Sequence, residues 1–190
     1  MSPLVVLVTF YSQSGAAETR ALSAAVGAVQ ERALIRLRRL SDADSTQLLA
    51  NGRAHAETLE RMRKEYVVPT EADVRGADAI VVAPTSSCDP ASLRWSEYFE
   101  LLRSLGAAGA LTRKVGAIVR NRDAASVQRF EQALHAAGLT IVAPADESPT
   151  PQAATAHGRR IAAEARSLKE SGIRYQDSGL GQGTGERNRR

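Results

Sequence analysis

Five short runs rich in β-branched and other apolar residues punctuate the chain, at residues 4–10, 33–37, 77–83, 115–119 and 139–142. Three of them are nearly unbroken, the pattern of strands covered on both faces of a parallel sheet. The run at 33–37 differs, because "RALIRLRRL" alternates apolar residues with arginine as an edge strand does. Between the runs the apolar spacing is helical, as in Leu22, Ala25, Val26 and Val29, or Val127, Phe130, Leu134 and Ala137. Asp89-Pro90 and Thr150-Pro151 read as N-caps followed by proline at the first helical position. Asp123 reads as a further cap and Gly138 as a helix stop. Strand and helix alternating in this way predict right-handed crossovers and a doubly wound α/β sheet with helices on both faces.

Residues 41–70 are too many for a simple crossover. They read as a helical insertion within the same domain, an Asn51-Gly52 turn joining two helices, the second over residues 54–66 with Leu59 and Met62 on one face. Residues 174–190 are rich in glycine and arginine and lack apolar period, so a folded domain is expected over 1–173 and a disordered tail over 174–190.

With 190 residues, 43% hydrophobic and 24% charged, one domain can bury its own core. No apolar run approaches the roughly 20 residues of a bilayer span, and residues 4–10 lack the basic leader and cleavage site of a secretory signal. Cys88 is the only cysteine, which fits a reducing cytoplasm. The formal charge of +4 is partly carried by the terminal "GERNRR", and a bias of that size does not mark a nucleic-acid partner. His55, His135 and His157 fall in predicted helices and read as solvated or structural, and no metal-ligand or triad pattern is present.

The segment after the first strand carries candidate chemistry. "FYSQSGAAET", residues 10–19, supplies hydroxyls from Ser12, Ser14 and Thr19, a glycine that lets the backbone approach closely, and the free N–H groups of a helix start. Such a loop suits a phosphate without needing a cation, or it caps a helix and nothing more. It is neither a dinucleotide fingerprint nor a Walker loop. "GADAIVVAPTSSCDPASL", residues 76–93, places Pro84, Thr85, Ser86, Ser87 and Cys88 at the carboxyl end of the third strand.

Together the two stretches resemble the flavodoxin-like NAD(P)H:quinone oxidoreductases of the WrbA type and the NADPH-dependent FMN reductases. The matching positions are Tyr11, Ser12, Gly15, Glu18 and Thr19, then Asp78, Ala79, Ile80, Pro84 and Thr85. The resemblance implies a flavodoxin-like three-layer sandwich with a five-stranded parallel sheet in the order 2-1-3-4-5. It implies that Ser12, Gln13, Ser14, Gly15, Ala16 and Ala17 hold the phosphate of FMN and that the segment Pro84, Thr85, Ser86 and Ser87 borders its ring; Arg120 and Asn121 are further cofactor-binding candidates on the loop after the fourth strand. NAD(P)H would be the co-substrate, a quinone-like molecule the acceptor, and the assembly a homo-oligomer, dimer or tetramer. "VRNRDAAS" replaces the family's glycine-rich loop after the fourth strand: if that loop still borders the flavin, Arg120 or Arg122 lies near the pyrimidine edge of the ring, and otherwise both point to solvent as helix-entry residues beside the Asp123 cap. A non-catalytic electron carrier is the alternative. So is an interaction module without cofactor, whose contact surface would be Arg36, Arg38, Arg39 and the basic tail.

Overall fold

The computed structural model describes residues 2–42, 53–86, 88–145 and 148–179. Ser87, the Asn51-Gly52 turn, the first expected insertion helix and residues 180–190 of the expected tail lie outside the described residues. Along the chain the elements are β1 (Val5–Phe10), α1 (Ala16–Gln30), β2 (Leu34–Arg39), α2 (Arg53–Glu65), α3 (Glu71–Gly76), β3 (Ala79–Ala83), α4 (Leu93–Ala107), β4 (Val115–Ile118), α5 (Ala124–Ala136), β5 (Thr140–Ile141) and α6 (Pro151–Gly179). All strand pairs are parallel and the order is β2-β1-β3-β4-β5, as expected, with β1 paired to both β2 and β3.

The two-residue alternation of β1 divides the core. Val6, Val8 and Phe10 pack with α1, α2 and α6, where Leu59 and Met62 of α2 are buried, while Leu7 and Tyr11 pack with α3, α4 and α5. On the second face Trp95, Tyr98, Phe99 and Phe130 form an edge-to-face aromatic cluster, which places Trp95 in the core.

The helix ends correct one expectation and refine others. Asp89 does not cap a helix: its Oδ1 accepts from the Ala91 amide at 2.8 Å, closing a turn that holds Pro90, and α4 begins only after Ser92. Thr150 and Asp123 do cap α6 and α5, accepting from the Ala153 and Ser126 amides. Gly138 ends α5 with φ +91°. Thr70 and Asp73 form a capping box on α3 that the sequence pattern had not brought out. α6 runs to Gly179, so residues 174–179 continue a helix where a tail was expected.

α1 and α6 approach so closely that glycine is required at their crossing. A Cβ on Gly158 would stand 2.0 Å from the Ala24 carbonyl oxygen, and one on Gly27 2.0 Å from that of Thr155. Alanine favours a helix interior over glycine by about 0.5–1 kcal/mol, but overpacking against backbone costs about 1–3 kcal/mol. Gly158→Ala should therefore lower stability by about 1–2 kcal/mol in urea unfolding followed by circular dichroism. An unchanged or raised midpoint would contradict the close crossing.

Candidate functional site

β1 ends in the middle of the sheet, and the chain turns through Tyr11, Ser12, Gln13 and Ser14 into α1. Gly15 stands at the N-cap with φ +85°, a conformation that glycine adopts freely, and no side chain caps the helix. A Cβ there would meet nothing nearer than Glu18 Oε2 at 3.6 Å and Thr58 Cγ2 at 3.7 Å, so the backbone angle itself requires glycine. The uncapped first turn leaves peptide N–H groups and the positive end of the helix dipole for an anion. Ser12 is fully buried, yet its Oγ has no hydrogen-bond partner among the described residues. A buried hydroxyl without a partner, three residues before an uncapped helix, fits a phosphate that would complete both. Gln13 donates to the Tyr11 hydroxyl, Ser14 and Ala16 are exposed, and Ala17 is buried in the core.

An ion pair lies beneath the loop. Arg39 at the end of β2 meets Asp42 at 2.7 Å, with side chains only 4% and 5% exposed. Arg39 Nη2 also donates to the Ser12 carbonyl at 3.3 Å, and Asp42 accepts from the Tyr11 hydroxyl at 3.2 Å and from Arg63 Nε of α2 at 2.9 Å. Burial pushes the Asp42 carboxyl up, but the hydrogen bonds and charges of Arg39 and Arg63 outweigh it and hold the group below its ordinary value. Glu18 is held in the same way: burial is outweighed by Arg61 of α2 at 2.6 Å and the Tyr66 hydroxyl at 2.7 Å. The insertion helix therefore clasps both the loop and the start of α1. Arg36, Arg38 and Arg39 each meet a carboxylate. Arg38 grips Asp73 at 2.8 and 2.9 Å, Arg36 reaches it at 3.4 Å, and Arg38 leads the interactions that hold this carboxyl at about 2.

The loops after β3 and β4 lie alongside. Pro84 is buried, Ser86 is exposed, and the Thr85 hydroxyl is 2.7 Å from Cys88 Sγ. Asn121, 4% exposed, joins the two loops: Nδ2 donates to the Thr85 carbonyl at 3.0 Å, and Oδ1 accepts from the Asp123 amide at 2.8 Å. The Cys88 carbonyl accepts from the Ser126 hydroxyl, which makes Cys88 a packed loop residue. Arg120 and Arg122 diverge. Arg120 borders a small cavity with Pro144, Thr150 and His157 of α6. Burial, with the charges of Arg160 and Arg120, pushes His157 down to about 4, so this imidazole is a buried neutral group. Arg122 is exposed and near Arg20, whose guanidinium is lowered first by burial and then by the Arg122 charge. His135 is exposed, and the His55 side chain lies outside the described residues.

Three residues of this end escaped the sequence pattern: Asp42, Arg20 and Arg94. Arg20 follows Gly15 by just over one helical turn, so its long side chain leans back toward the helix start, where Nη2 reaches the Pro84 carbonyl at 3.1 Å. Arg94 stacks on the Tyr11 ring, its guanidinium 4.3 Å from the centroid. A groove of about 390 Å³ between α4 and α5, lined by Phe99, Arg103 and Arg129, stands apart from this set.

No protein-family model and no curated protein sequence matches the chain. Solved structures do match in shape. A WrbA-like flavodoxin from Agrobacterium tumefaciens is 18% identical with a TM-score of 0.59, over 87% of this chain and 99% of that one. A flavodoxin from Streptococcus pneumonia TIGR4 is 14% identical with a TM-score of 0.56, over 86% and 98%. A diflavin flavoprotein from Nostoc sp. is 10% identical with a TM-score of 0.53, over 92% and 99%. The fold is flavodoxin-like. In this fold the loops after β1, β3 and β4 share the carboxyl end of the sheet, beside the point where the strand order reverses. Among the described residues no helix is long and apolar enough to cross a membrane, and no group of His, Cys, Asp and Glu side chains could hold a metal ion.

Removing Asp42 leaves Arg39 buried and unpaired, a change that typically destabilises by about 3–5 kcal/mol. Asp42→Ala should show a loss of that order in urea unfolding, and a loss under about 1 kcal/mol would place the pair outside the core energetics. A depressed carboxylate contributes stability that is fully present above its unfolded value near 3.9 and is lost as pH falls through its folded value. Stability of the parent should accordingly drop below about pH 4, more steeply than that of Asp42→Asn.

Proposed function

We propose that the chain binds FMN at the carboxyl end of its sheet and acts as an oxidoreductase that takes a hydride from NAD(P)H and reduces a quinone-like acceptor. The observation that carries this reading is the buried, unpartnered Ser12 hydroxyl beside the uncapped start of α1, in a fold shared with a WrbA-like flavodoxin and with flavodoxins. Ser12, Gln13, Ser14, Gly15, Ala16 and Ala17 would hold the phosphate, and the segment from Pro84 to Ser86 with Asn121 would border the ring. When bound, FMN supplies the hydride-accepting and electron-releasing chemistry. The chain supplies position and field. Asn121 fixes the spacing of two ring-bordering loops, and the Arg39–Asp42 pair fixes the phosphate loop. Arg20, Arg94 and Arg122 make this end of the sheet cationic, which favours approach of an anionic dinucleotide and of negative charge that arises on reduction. In the net reaction NAD(P)H loses a hydride to become NAD(P)⁺, and the quinone gains two electrons and two protons, one of them from solvent. A homo-oligomer and a cytoplasmic location belong to the same reading.

The purified chain should be yellow or take up FMN, and the loaded protein should oxidise NADPH or NADH only when a quinone is present. Flavin uptake without nicotinamide oxidation would make it an electron carrier, and absence of flavin uptake would refute the reading. Gly15→Val, which puts a β-branched side chain at φ +85° and into the space where a phosphate must approach, should abolish FMN binding while the circular dichroism spectrum is kept.

A further inference from the structure

At the amino end of the sheet, away from the loops after β1, β3 and β4, two arginines hold a backbone shape that favours glycine. Among the described residues only Arg32, at φ +58°, and Arg113, at φ +66°, have positive φ without being glycine, and each stands two residues before a strand. Arg32 closes α1. Its amide donates to the Val29 carbonyl at 2.8 Å and the Ala33 amide to the Ala28 carbonyl at 3.1 Å, the paired bonds of a helix end whose turning residue is ordinarily glycine. Arginine holds that place at a conformational cost that glycine does not incur. The helix end is already served by Arg166 of α6, which donates to the Glu31 carbonyl. The exposed Arg32 side chain makes no ion pair and no hydrogen bond among the described residues.

That side chain borders a cavity of about 560 Å³ where Ser2 and Leu4 approach α6, and Arg166 and Lys169 border it too. Arg166 stands 3.8 Å from Glu31, and Lys169 gives two of its three N–H groups to the Pro3 carbonyl and Asp78, each at 2.9 Å, so both keep donors to spare. Glu170 is the one carboxylate in the lining. Cations from the end of α1 and from α6 thus converge on a concavity of the size that small ligands occupy. A guanidinium without a partner favours an oxyanion that it can grip with two N–H groups.

We propose that this cavity is a second ligand site, one that binds the diphosphate group of a small phosphorylated molecule through Arg32, Arg166 and Lys169. Arg32 leads the recognition, because it alone of the three has no partner within the described chain. The site lies before β1 and β2, at the opposite end of the sheet from the helix start at Gly15, and stands independently of the flavin reading.

The test titrates inorganic pyrophosphate into the full chain at low ionic strength, where exposed charges are least screened. Backbone amide NMR shifts of residues 31–34 and 166–170 report this cavity, and those of residues 14–18 report the other end of the sheet. Arg32→Gly removes the charge and relieves the backbone, so it should melt at or above the parent's temperature yet bind pyrophosphate at residues 31–34 about tenfold more weakly. Arg32→Asn, which also tolerates the positive φ, takes its place if glycine loosens the turn. Glu170→Gln removes the one acid of the lining and should bind more tightly than the parent. Saturable binding at residues 31–34 and 166–170 that weakens threefold or more without Arg32 and tightens without the Glu170 charge supports the site. Shifts confined to residues 14–18, no saturable binding, a smaller fall in the Arg32 variant or no gain in Glu170→Gln overturns it.

Discussion

The buried ion pair between Arg39 and Asp42 is the constraint on which the rest of the candidate site depends. Its two members come from the end of the edge strand and the residues just beyond it, but its bonds reach two other parts of the chain: the Tyr11 hydroxyl and Ser12 carbonyl of the loop after β1, and Arg63 of α2. Without it the turn after β1 would have to find other partners for a buried carbonyl and a buried phenol. A pair this enclosed is not by itself a source of net stability, because desolvation offsets much of the attraction. What it provides is position. Each member is costly to leave alone, so the loop, the strand end and the insertion helix are held in one arrangement.

That arrangement has an electrostatic consequence. Glu18 sits in the first turn of α1, where a carboxylate would ordinarily answer the helix dipole, and α2 draws its charge aside with Arg61 and Tyr66. Asp42 is likewise consumed below the loop. The acids nearest the helix start are thus neutralised from the α2 side, and Arg20 and Arg122 stand on the side of β3 and β4. The end of the sheet is left with a surplus of donors and positive charge over acceptors, which is the condition under which a phosphate enters without having to displace a carboxylate.

The sheet order and both faces of the core were legible because period-two and near-continuous apolar runs are local signals, and β1, β3 and β4 carry them plainly. The loops of the site were legible for the same reason, since a strand end fixes where the next few residues lie. Asp89 with Pro90 misled because an Asx turn and an N-cap use the same residues, and which forms depends on how far away the helix starts. The arginines of β2 misled more deeply. An arginine that alternates with leucine reads as a free solvent-facing charge, and the carboxylates that engage these arginines lie at Asp42 in a loop and at Asp73, 35 residues beyond Arg38, with no periodic link to either. The bond from Arg61 to Glu18 spans 43 residues and depends on where an insertion folds back. Pairings of that kind are properties of the tertiary arrangement, and Arg20 and Arg94 were passed over because the groups they meet, the Pro84 carbonyl and the Tyr11 ring, are likewise set by the tertiary arrangement.

The central claim is that the helix start at Gly15 receives the phosphate of a flavin. The most direct measurement is the set of backbone amide NMR shifts for residues 14–18 as FMN, and separately riboflavin, is added to the flavin-free protein. The account predicts large downfield shifts of the Gly15, Ala16 and Ala17 amides with FMN and much smaller ones with riboflavin, because only the phosphate accepts from these groups. FMN that binds while those amides stay where they were, or move equally with riboflavin, would contradict it.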